Sequence, residues 1–201
     1  MHLHSVPMMP IYGIISDQMT EEPTAQSVLA FWFSDTAQKH WFRSTQEFDR
    51  ELEKRLGALY RQACDGALDP WAETAEGALA LVILLDQCSR NFNRGSGAAF
   101  AHDAHARRIV RDAIARGFDQ QLEDWRRGFL YMPLMHSESL ADQDDSVRLF
   151  AESGLDNTRY ALLHRDIIRR FGRFPHRNDV LERKSTAEEI AYLASPDAFH
   201  G

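Results

Sequence analysis

Arg170-Phe171-Gly172-Arg173-Phe174-Pro175-His176-Arg177-Asn178 concentrates three guanidiniums, an imidazole and a side-chain amide in one short stretch. Gly172 and Pro175 end any helix there, so the polar groups sit on a turn. Guanidinium forks match the geometry of carboxylate and phosphate. A second concentration runs from Leu85 to Arg94. Asp86 and Arg90 are one helical turn apart and can pair, while Gln87, Asn91 and Arg94 follow one stripe at i, i+4 and i+7. A third is Pro133-Leu134-Met135-His136-Ser137-Glu138 with Gln143 after it. Pro133 re-aims the chain, so His136 and Glu138 are expected to project toward a common point. His164 lies alone on an apolar helical face.

These groups divide by the chemistry they can do. His136, Glu138, His164 and His176 are the candidate catalytic residues, with an imidazole as general acid or base and Glu138 or Asp86 orienting it. Asp86, Gln87, Arg90, Asn91, Arg94, Gln143, Arg173, Arg177 and Asn178 are the candidate ligand-binding residues. The favoured reading is a cleft lined by Arg90, Arg94, Arg173 and Arg177 that binds a small anion or an acidic peptide end. An enzyme of hydrolase or group-transfer type is the alternative, with the arginines stabilising developing charge. A scaffold is the third reading, in which the same ion pairs only pin helix ends, His164 is a satisfied core residue and Asn178 caps a following helix. No nucleophile elbow or phosphate-binding glycine loop is present. No cofactor is expected, and no metal. The set His136, Glu138, His164 and His176 lacks the i, i+4 histidine pair of helical zinc sites, and its arginine neighbours oppose a cation.

Net charge is −7, which disfavours general binding to nucleic acid or an anionic membrane. The 201 residues suit one domain. Cys64 and Cys88 have no metal or redox spacing and read as thiols of a cytoplasmic protein. Residues 1–23 include an apolar run broken by Pro7, Pro10 and Gly13, too interrupted for a membrane span or signal peptide. They are expected to be a disordered or extended lead-in to an all-helical domain over 24–201.

Ala and Leu number 44, against 22 for Val, Ile and Thr, and no segment alternates in the manner of a strand. Helices are expected over 25–33, 45–66, 75–92, 98–116, 121–135, 139–152 and 157–171, with a last one through Leu193. Capping boxes are read at Ser44-x-x-Glu47 and Ser185-x-x-Glu188. Leu79 to Leu85 is apolar all round, which marks the most buried helix. Short loops make successive helices antiparallel neighbours, so 45–66 should pair with 75–92, 98–116 with 121–135, and 139–152 with 157–171.

The strings FWF at 31–33, LDQCSRNFNRG at 85–95, FLYMPLMHSESLADQ at 129–143 and RFGRFPHRN at 170–178 resemble the signature blocks of a bacterial family. It is known only as domain of unknown function 924. The resemblance covers about residues 27 to 195. It implies an all-α fold of stacked antiparallel helical hairpins, similar to tetratricopeptide domains, and no established activity. Asp86, Gln87, Arg90, Asn91, Arg94, Pro133, His136, Glu138, Gln143, His164, Arg173, Pro175, His176, Arg177 and Asn178 match the family's motif positions. Cys88 stands where a larger apolar residue is expected, which argues against a catalytic thiol.

Overall fold

A computed structural model describes residues 24–155 and 157–200, so the expected lead-in over 1–23 lies outside the described residues. Among the described residues every regular element is helical. They are α1 (Ala25–Trp32), α2 (Asp35–Gln38), α3 (Gln46–Cys64), α4 (Ala75–Val82), α5 (Ser89–Phe92), α6 (Asp103–Ala115), α7 (Asp124–Met135), α8 (Leu140–Glu152), α9 (Thr158–Phe171) and α10 (Ala187–Leu193). Short 3₁₀ turns precede α4, α6 and α7, and another follows Phe174.

The predicted 75–92 rod is α4 and α5 joined by a π turn, Ile83–Cys88. Its side chains from Ala78 to Leu85 are buried all round, and the other helices wrap it. α1 and α6 pack on α4, while α3 packs on the π turn and α5. α6 lies against α7, α7 against α8, and α8 against α9, so the three expected pairings occur. Such packing is compatible with stacked hairpins. No described helix is long and apolar enough to cross a membrane.

Both capping boxes were read one residue early. Thr45, not Ser44, caps α3, and its hydroxyl accepts from the Phe48 N–H; the Ser44 hydroxyl goes to Asp49 instead. Thr186 caps α10 in a true box with Glu189. Each start has two adjacent hydroxyl residues, and tertiary contacts choose between them. The second choice turns Glu189 inward to meet Arg173. Pro133 does not end its helix. α7 runs on to Met135, because losing one N–H in the last turn leaves one unpaired carbonyl rather than a break.

Gly77 is the tightest glycine. Its N–H donates to the Thr74 hydroxyl that caps α4, and a methyl group here would strike the Trp71 carbonyl. Gly77→Ala is therefore expected to lower unfolding free energy by about 1–3 kcal/mol, although alanine is the better helix former. Urea denaturation checks this, and an unchanged midpoint would remove the steric argument.

Candidate functional site

α7 and the π turn lie side by side, and their polar residues meet at the floor of a cavity of about 490 Å³. The Nδ1 atom of His136 is 2.9 and 3.0 Å from the two carboxylate oxygens of Asp86, which is wholly buried. Asp86 is further held by Arg90, at 2.9 Å, and by the Gln87 amide, at 2.7 Å. Burial alone would raise the pKa of Asp86. The Arg90 guanidinium and His136 outweigh burial and hold the carboxyl well below the usual carboxylate range. An ionised carboxylate only accepts, so Nδ1 of His136 carries the hydrogen and Nε2 is the free nitrogen. π turns recur at functional sites, and this one shifts the register of the helix where Asp86 and Gln87 leave it.

Beyond Arg90 the network continues. Arg90 forks onto Asp103 with two bonds of 3.1 Å, and Asp103 lies 3.9 Å from Arg177. On the open side Arg94 donates to Asn91 at 3.0 Å and lies 3.5 Å from Asp49, with 61% of its side chain exposed. His164, from α9, completes the polar part. Its Nδ1–H donates to the Tyr160 carbonyl at 2.7 Å, leaving Nε2 as an acceptor. Burial, with the positive potential of His136 and Arg177, pushes its pKa down to about 4. The two imidazole centroids are 6.3 Å apart. Trp41, Phe42, Met132, Met135, Tyr160 and Phe199 form the apolar wall. Trp41 is fixed there by its indole N–H, which donates to the Trp32 carbonyl at 2.9 Å.

Of the predicted residues, Gln87, Arg90, Asn91, Arg94, His136 and His164 line the cavity, and Asp86 lies directly beneath it. The others do not line it. Glu138 points away from His136, contrary to the expected convergence. It accepts from the Phe174 N–H at 2.8 Å and from both ends of the Arg183 fork, so it ties the 173–178 turn to α7. Arg173 is engaged by Glu189 and the Lys184 carbonyl. Gln143 donates to the Met135 and Ser137 carbonyls, closing the end of α7. Asn178 caps no following helix, bonding instead to Ser185 and Arg183 in the loop before α10. His176 and Arg177 lie behind the wall, packed with Phe174. Among the described residues no three His, Cys, Asp or Glu side chains converge as metal ligands.

Sequence reading missed Asp103, Asn157, Arg183 and the apolar wall. Asp103 looks like an ordinary first-turn acid of α6, and Phe199 follows the last predicted element.

Fold and site together define an all-helical protein with a cavity floored by an Asp–His–Arg network. The chain belongs to the family described as bacterial proteins of unknown function (DUF924), whose model matches residues 28–197. It is also similar to the solved structure of a protein of unknown function, ATU0120, from Agrobacterium tumefaciens. The two share 39% identity over 85% of this chain and 96% of that one, with a TM-score of 0.81. No curated protein matches the chain.

Proposed function

We propose that the cavity is the active site of an enzyme acting on a small molecule, by hydrolysis or group transfer, with His136 as general base and acid. The supporting observation is the bond from its Nδ1 to fully buried Asp86, which leaves Nε2 for a ligand. A carboxylate in that position fixes the tautomer and orientation of the ring and faces the charge the ring acquires when it takes a proton. Arg90 and Gln87 in turn fix the carboxylate. The wall of Trp41, Met132 and Met135 suits an apolar ligand body and excludes water from it. A cytoplasmic location fits the two free thiols.

The test is a panel of ester, amide and phosphoester substrates, with His136→Asn compared against the parent. A general acid–base is worth about 10²–10⁴ in rate, so the variant should lose at least about a hundredfold while keeping its melting temperature. Turnover that survives the substitution would overturn the reading. Labelling by diethyl pyrocarbonate supplies a second readout, in which His136 should be modified at Nε2 and Asp86→Asn should change its rate.

A cleft that only holds an anion is the second reading, and Arg94 at the open edge favours it. Against it, Arg90 is already matched by Asp86 and Asp103, and Arg173 by Glu189.

A further inference from the structure

The turn that stood out first in the sequence lies behind the cavity wall, and one of its cations lacks a counter-ion of its own. Arg177 is only 6% exposed, with its guanidinium carbon 4.3 Å from the Phe174 ring centroid and 4.5 Å from that of Phe100. Its nearest carboxylate is Asp103, at 3.9 Å, and that group already receives both arms of Arg90. Of the other acids nearby, Glu138 is bound to Arg183 and the Phe174 N–H, and Asp86 to Arg90 and His136. The Nε–H of Arg177 is buried without a partner among the described residues, and so is Nδ1 of His176. A buried cation left this way is costly unless an anion joins it.

Phe199 packs on His164 and on His176, the neighbour of Arg177 in the chain. Its ring centroid is 4.6 Å from His164 and 5.2 Å from His176, and it also lines the cavity. The segment after α10 is anchored by the Phe199 N–H donating to the Tyr192 hydroxyl at 3.0 Å, and by a turn bond from Ala198 to Ser195.

We propose that Arg177, His176 and His164 form a subsite for a phosphoryl group, which Phe199 covers in this structure and uncovers when the ligand enters. The donors and acceptors choose the ligand. Arg177 can donate to phosphoryl oxygens through Nε–H, and His176 through Nδ1 in the tautomer that carries its hydrogen there, whereas His164, with Nδ1–H committed to Tyr160, can only accept through Nε2. A hydrogen phosphate or monoprotonated phosphomonoester supplies several acceptor oxygens and one O–H donor. A carboxylate has no proton to give. His164 borders both the subsite and the cavity, so the organic part of a phosphomonoester would lie against Met132 and Met135.

Calorimetric titration of the full chain with inorganic phosphate, phenyl phosphate and acetate tests this without any turnover. Phe199→Ala should bind phosphate at least tenfold more tightly than the parent, because the ring no longer has to be displaced. In that background His176→Ala should return the affinity at least tenfold toward the parent's. Arg177→Met should do the same, and where that buried change prevents folding His176→Ala carries the test. Phenyl phosphate binding more tightly than phosphate would assign the subsite to an organic ester; equal affinities would assign it to free phosphate. Acetate binding as well as phosphate, or Phe199→Ala binding phosphate no better than the parent, overturns the proposal. His136→Asn should leave phosphate binding intact, so failure of the general-base reading and failure of this subsite are separate results.

Discussion

Asp86→Ala is expected to unfold about 3–5 kcal/mol more easily than the parent, and to lose about 10⁴ of any His136-dependent turnover. The side chain is fully buried and joins Arg90, Gln87 and His136. Removing it leaves Arg90 with the residue-86 carbonyl and with Asp103, a carboxylate that also lies 3.9 Å from Arg177. It also releases the His136 ring to adopt either tautomer. Urea denaturation reads the first effect and substrate turnover the second. Adding Arg90→Met to Asp86→Ala should cost less than the sum of the single changes, since the unpaired cation is removed with its partner. A loss below about 1 kcal/mol, the scale of an exposed pair, would show that the network is not the keystone of this region.

Much of this arrangement is legible before folding, for physical reasons that differ by segment. The Leu79–Leu85 run can only be a buried helix, and that forces Asp86 to be buried with it. A buried carboxylate needs cations, and Arg90 stands one turn away. The pairing with His136 was less accessible, because it depends on α7 crossing the rod at one height. Pro133 suggested a bend that brings Glu138 to His136. The helix ends at Met135 as expected, but Glu138 bonds to the Phe174 N–H and Arg183 instead. The π turn was hidden, since nothing in Ile83-Leu84-Leu85-Asp86-Gln87-Cys88 distinguishes it from an α-helical turn. The arginines of the 170–178 turn do not act as one cluster, whereas Arg90 and Arg94 line the cavity as expected. Sequence density in the 170–178 turn reflects three separate tasks, with Arg170 paired to Glu188, Arg173 to Glu189 and Arg177 set behind the cavity.

Stability should fall as pH drops from 7 to 5, well before the carboxylates titrate. Burial pushes the His164 pKa down from 6.5 to about 4, and burial together with Arg177 pushes that of His176 down to about 3. Both rings are therefore neutral in the folded chain through a range where the unfolded chain takes up protons. Below 6.5 the unfolded state binds the extra protons, so folding stability rises with pH and is lost on acidification. The loss grows down to about pH 4 for His164 and about pH 3 for His176. For His164 alone it amounts to about 2 kcal/mol at pH 5, and His176 acts with the same sign. Asp86, Glu138 and Glu189 have lowered pKa values, so their stabilisation is present above the ordinary carboxylate range and lost only below it. The window between 6.5 and about 4.5 thus belongs to the imidazoles. Urea midpoints at pH 7 and pH 5 measure the effect, and His164→Gln with His176→Gln should flatten it. An equal midpoint at both values would mean that the rings are charged or solvated in the folded chain. Phosphate separates the two ideas once more. A phosphoryl group beside Arg177 favours the protonated form of both rings and so narrows the gap between their folded and unfolded pKa values, so phosphate should blunt the fall in Phe199→Ala more than in the parent.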